Sequence, residues 1–243
     1  MLGRQHFLLS TVTSLVVVSP FIQSYEVLSL ASVFGVAIGS LIPDVDAPNS
    51  TIFHTSVKGL HRSPGKIFNL IIGPIMPLFG YLTKYLVYIP SVQFLNLFTD
   101  YSFEEGHRSF THSLIGVIIL TSLTGLLIYP ITAEIGLPSL VLYFFLAGYF
   151  SGAILHMIQD SFTVSGIAWN QPFSTTKMKG ELKTGEDMWK PRYFLFMLVA
   201  LIPVNLYTAS SIQALEMLFI HGFLVSAVAW IFFAWMSGAE ITS

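Results

Sequence analysis

A chain of 243 residues that is 53% hydrophobic, only 10% charged, free of cysteine and of net charge −2 is not composed like a soluble domain. It has no basic surplus for nucleic acid. Without cysteine, any metal site must draw on His, Asp, Glu and water.

Apolar segments lie at about 7–22, 26–42, 67–98, 110–130, 138–158, 192–209 and 213–236. Most approach the ~20 residues that cross a bilayer as a helix, and only internally bonded backbones survive in lipid. The fold expected is therefore an all-α polytopic membrane helical bundle, organised as one integral domain. Arg4 precedes the first segment, but no small-x-small cleavage site follows, so it is read as an uncleaved helix and not a signal peptide. The 67–98 stretch is too long for one span and is interrupted by Pro74, Pro77, Gly80, Lys84 and Pro90. It is expected to form an in-and-out hairpin or an interfacial segment. After residue 175 come a basic loop and two C-terminal helices.

Lys and Arg in short loops set the orientation. Arg4, Lys58, Arg62, Lys66, Arg108, Lys177, Lys179, Lys183, Lys190 and Arg192 share one side if 67–98 makes no net crossing, and only Lys84 is left out. The result is about six net crossings with both termini in the cytoplasm.

The same topology gathers the scarce imidazoles and carboxylates. His6 opens the first helix; Asp44 and Asp46 follow the second in PDVD; His107 and His112 lie in GHRSFTHS; His156 and Asp160 close the fifth segment in HMIQD. All fall at the inner border. His156 and Asp160, four residues apart on a helix, project from one face and can grip one ion. His107 and His112, five apart, converge only if His107 precedes the helix, with Ser109 or Thr111 as cap. Asp44 and Asp46 can converge in a Pro-bounded turn. Four His and three Asp suit zinc, with manganese or iron possible, as two ions bridged by a carboxylate or as one ion with supporting Asp–His pairs. His54 and His61 read as solvated, His221 as packed or locally hydrogen-bonded, and the loop after residue 161, with Trp169, as a lid or substrate wall.

The order His6, PDVD, GHRSFTHS and HMIQD resembles the YdjM-like inner-membrane proteins, a family described as metal-dependent hydrolases. GHRSFTHS is the most specific element, and the resemblance covers roughly residues 1–175. The helical His-x-x-x-Asp is also similar to that of zinc-dependent phospholipase C and P1-type nucleases, which hints at a phosphoester. The family resemblance implies an inner-membrane metal-dependent hydrolase without naming its substrate; a lipid-borne phosphoester, among membrane lipids, is the substrate expected. In such a site Asp44 or Asp46 would bridge ions or serve as general base, and Arg108 would hold a phosphate oxygen. Three alternatives compete. They are a transporter or proton relay, a metal-stabilised scaffold without catalysis, and a metal-free phosphohistidine lipid phosphatase, for which the accompanying Arg and PSG elements are missing.

Overall fold

Residues 1–57, 69–70, 73–98, 110–187, 189–212 and 214–242 are described by a computed structural model. The chain begins with α1 (Gly3–Val18), extended by a 3-10 turn at Ser19–Phe21, and α2 (Glu26–Gly39). Pro43 opens a 3-10 turn at Pro43–Asp46, and a second follows at Thr51–Phe53. A helical rod comprises α3 (Ile75–Leu82), a π-helical stretch (Thr83–Tyr88) and α4 (Ile89–Phe98). Next come a 3-10 turn at Phe110–His112, α5 (Leu114–Glu134) and α6 (Ser139–Ser161). The chain closes with α7 (Trp189–Ala209) and α8 (Leu215–Met236). Two short strands, β1 (Lys177–Lys179) and β2 (Glu240–Thr242), pair antiparallel and tie the C-terminus to the loop after α6.

The all-α membrane bundle is borne out. Leu114–Glu134, Ser139–Ser161, Trp189–Ala209 and Glu216–Met236 are each long and apolar enough to span, and their outer faces expose Leu126, Tyr143, Phe196 and Ile231. α1 and α2, with 16 and 14 residues, reach only about 24 and 21 Å at 1.5 Å per residue, so helix length alone does not yield six crossings. Of the two readings of 67–98, hairpin or interfacial segment, the hairpin is not formed within 75–98. The rod runs through without reversing, because its backbone stays helical on both sides of the π stretch.

α1 lies among other helices rather than at their edge, which explains its uneven composition. Its polar residues each meet a different neighbour. Gln159 on α6 donates to the Ser10 hydroxyl at 2.9 Å, Trp230 on α8 to the Thr13 hydroxyl at 3.1 Å, and Asn205 on α7 to the Val16 carbonyl at 2.6 Å. A helix enclosed all round has no single apolar stripe.

α2 and α6 are in backbone contact. A Cβ at Gly35 would strike the Phe145 carbonyl, and one at Gly39 the Tyr149 carbonyl. In return, a Cβ at Gly148 would strike the Ser32 carbonyl and one at Gly152 the Val36 carbonyl. Both helices thus carry a Gly-x-x-x-Gly pair, the spacing that lets helices approach closely in lipid. The contacts Ser32–Gly148 and Val36–Gly152 advance together, so the two helices run parallel.

Gly152→Ala is therefore expected to destabilise the protein by roughly 1–3 kcal/mol through overpacking, read as a lower thermal unfolding midpoint in detergent. An unchanged midpoint would show that α2 and α6 do not touch through their backbones.

Candidate metal centre

The α2–α6 contact carries His156, one helical turn beyond Gly152, to the end of α2. There its Nδ1 lies 2.7 Å from the Ser40 carbonyl oxygen. A carbonyl only accepts, so Nδ1 carries a proton, and in the neutral imidazole Nε2 then keeps its lone pair. That Nε2 is buried and makes no hydrogen bond.

His112 is held in a similar way from another direction. Ser113 caps α5, its hydroxyl accepting from the Gly116 amide at 3.0 Å and donating to the Phe110 carbonyl at 2.8 Å. The expected caps, Ser109 or Thr111, do not take this part: Ser109 lies outside the described residues and Thr111 is used elsewhere. The Thr111 hydroxyl donates to Asp46 Oδ2 at 3.3 Å and lies 3.1 Å from His112 Nδ1. With its one hydrogen given to Asp46, it accepts from His112 Nδ1–H, which again leaves a lone pair on Nε2.

These two nitrogens face two carboxylates. His112 Nε2 lies 3.7 Å from Asp44 Oδ1 and 3.6 Å from Asp160 Oδ2. His156 Nε2 lies 3.6 Å from Asp44 Oδ1 and 3.7 Å from Asp160 Oδ2. Nitrogen and oxygen thus alternate around a ring of four contacts. Those distances exceed the 2.7–3.2 Å of a hydrogen bond. They approach the separation of about 3.4 Å between two ligand atoms that share one tetrahedral ion at ~2.1 Å. Two metal-capable triads overlap here, His6–His156–Asp160 and Asp44–His112–His156, the ligand atoms in each lying within 4.8 Å of one another. One imidazole lone pair serves one ion, so His156 cannot complete both triads at once.

His6, in the first turn of α1, stacks on His156 with ring centroids 3.7 Å apart and planes 12° apart. Its Nε2 lies 3.3 Å from Asp160 Oδ1. The Met1 amino group reaches the same oxygen at 2.7 Å. Asp160 thereby turns one oxygen to α1 and the other to the two imidazoles.

Of the seven residues expected to share a site, five meet directly: His6, Asp44, His112, His156 and Asp160. Asp46 joins through Thr111. In a 3-10 turn, residues two apart point about 120° away from each other, which separates Asp46 from Asp44. His107 lies outside the described residues, as do Arg108, expected to hold a phosphate, and His61. His54 is exposed, and His221 lies 2.8 Å from the Thr208 hydroxyl on α7.

A cavity of about 500 Å³ reaches Asp44 and Asp160. Its other walls are the N-terminal residues Met1–Arg4 and the segment Ala47–Thr51, not the stretch after residue 161 that was expected to provide a wall. Trp169 instead braces the helices: its indole donates to the Ser161 hydroxyl at 2.8 Å, and its carbonyl accepts from the Leu114 amide at 2.9 Å. The roles of Ser40 and of the Ala47–Thr51 wall were not anticipated, nor was the part Thr111 plays between Asp46 and His112. Thr111 stood inside the GHRSFTHS element, and its neighbour His112 was the available signal.

No curated protein and no solved structure matches this chain. The family description "YdjM inner membrane protein" matches residues 1–240. That match continues past residue 175 through α7 and α8, so the C-terminal helices fall within the matched region. From its first helix to its last strand, the chain belongs to the YdjM inner membrane protein family.

Proposed function

We propose that this protein is a metal-dependent hydrolase of the inner membrane, acting on a phosphoester borne by a lipid at the cytoplasmic face, with both termini on that side. The observation that carries this reading is the cavity running to Asp44 and Asp160. Structural metal sites are closed by protein ligands, whereas catalytic ones keep a position open to substrate.

The donor set fits a divalent cation. Lone pairs on His112 and His156 and two carboxylates converge in a buried space, and concentrating them there without a cation would be costly. Zinc suits such nitrogen and oxygen ligands, with manganese or iron as alternatives. Bound between them, the ion would supply Lewis-acid polarisation of a phosphoryl oxygen. The chain's own residues do the rest. Ser40 and Thr111 fix the imidazole tautomers. Asp44, whose side chain is 17% exposed while that of Asp160 is buried, meets the cavity and can take a proton from an attacking water. The position of the cluster, at one end of the helices and not midway along them, favours hydrolysis over transport. A non-catalytic scaffold is the second reading, supported by the burial of the histidines and by the Met1 ammonium on Asp160.

Protein purified in detergent is expected to carry bound transition metal, and His156→Ala and Asp160→Ala to lose it. Wild-type protein without metal would sink the proposal. Thr111→Val should keep the fold but weaken metal affinity roughly 10–100-fold, the usual effect of removing a ligand's supporting partner; unchanged affinity would remove Thr111 from the site.

Hydrolysis of a chromogenic phosphoester should stop on chelation and return with added zinc. Activity that survives chelation but is abolished by vanadate would indicate the phosphohistidine chemistry instead. A metal-loaded protein inactive on every phosphoester tried would favour the scaffold.

A further inference from the structure

The cavity is lined by groups of two kinds. Asp44 and Asp160 are acceptors, and Gly3, Arg4, Asn49, Ser50 and Thr51 line it with them. Among the described residues no carboxylate pairs with Arg4, whose side chain is half-buried. Gly3 and Arg4 open α1, and their amides precede the first that bond within the helix, those of Gln5 and His6, which donate to the Leu2 carbonyl. They sit at the positive end of the helix dipole.

Ser50 adds an independent sign. It is 7% exposed, and its hydroxyl has no hydrogen-bond partner. Ser50 also stands at the N-cap of the Thr51–Phe53 turn, where a serine hydroxyl ordinarily bonds a backbone amide, yet it makes no cap bond. A buried hydroxyl in that condition is costly unless something else occupies it. Gly3 keeps the recess narrow, since a Cβ there would strike the Thr51 hydroxyl.

We infer that the Arg4 side chain, the Ser50 hydroxyl and the Gly3 and Arg4 amides form a recess that binds a phosphate-type oxyanion in the cavity, beside the metal centre. A guanidinium, a hydroxyl and free amides are the donors that recognise a tetrahedral oxyanion. The Met1 ammonium offsets part of the charge of Asp160, and a divalent ion held by Asp44 and Asp160 would offset the rest, so the lining suits a phosphoester accompanied by such an ion. The identity of the ligand as substrate rests on the hydrolase reading; the binding itself is measured separately.

The test titrates inorganic phosphate into the detergent-purified full chain, followed by calorimetry. In parallel, nanodiscs of phosphatidylcholine containing phosphatidic acid are used to count retained phosphatidic acid by native mass spectrometry. Wild-type protein is expected to bind at least one probe: phosphatidic acid alone identifies a lipid headgroup as the source, inorganic phosphate alone a free anion. Arg4→Gln should weaken that binding roughly tenfold or more, as expected for loss of a charged hydrogen-bond donor, and Ser50→Ala by a smaller factor, both with metal content unchanged. Binding of neither probe by the wild type, or equal binding by Arg4→Gln, overturns the inference. Arg4-dependent binding in a protein devoid of metal would uphold the recess while removing the hydrolase reading. A metal-loaded protein indifferent to Arg4 does the reverse.

Discussion

The close approach of α2 and α6 is the constraint on which the polar end of this protein depends. Four glycines remove the side chains that would hold the two backbones apart. Only at that separation can His156 reach the Ser40 carbonyl, and that hydrogen bond decides which ring nitrogen faces the carboxylates. Apolar packing in the middle of the bundle thereby selects an imidazole tautomer at its end. The π-helical stretch is fitted to the same pair: the Tyr149 hydroxyl, on α6, lies 3.4 Å from that of Thr83 and 3.5 Å from that of Thr124. A buried phenol between two threonines fixes the level of the rod and of α5 against α6.

Much of this was legible in the sequence. Long apolar runs predicted the helices because lipid leaves the backbone few alternatives. His6, Asp44, His112, His156 and Asp160 stood out because charged and imidazole side chains are scarce in such a chain and cluster at segment borders. The rest depends on contacts that composition does not encode. Gly35 and Gly39, like Gly148 and Gly152, carry the right spacing, but the spacing does not say which helix answers which. Asp44 and Asp46 looked equivalent until the 3-10 turn sent one to the imidazoles and the other to Thr111. The 67–98 stretch was ambiguous because its prolines and Gly80 allowed a reversal as well as an interfacial segment, whereas Pro74 and Pro77 fall at the start of a helix, where a missing amide costs little. Gly80 packs its bare Cα against Phe53, on which Lys84 also rests its ammonium at 5.2 Å.

The site is also arranged asymmetrically. Its imidazoles are locked by backbone and hydroxyl partners, while the Asp44 side, on a 3-10 turn, meets the cavity. Rigid histidines with one accessible carboxylate hold a reactive geometry steady while leaving a way in. This division follows from the chain's layout: helix ends provide the fixed groups, and the turn between Pro43 and Asp46 provides the exposed one.

The enclosure of α1 has a consequence for how the protein is made. Its Thr13 and Val16 partners, Trp230 and Asn205, lie 217 and 189 residues later in the chain. At the ~5–20 residues per second of bacterial-type synthesis, that is a wait of about 10–40 seconds. During that interval the Thr13 hydroxyl and the Val16 carbonyl lack these late partners, while Ser10 and His6 can already meet Gln159 and Asp160. α1 is thus completed only after α7 and α8 have been made, although its N-terminal turn can meet His156 and Asp160 earlier. Loss of the last two helices would damage a site whose residues they do not supply.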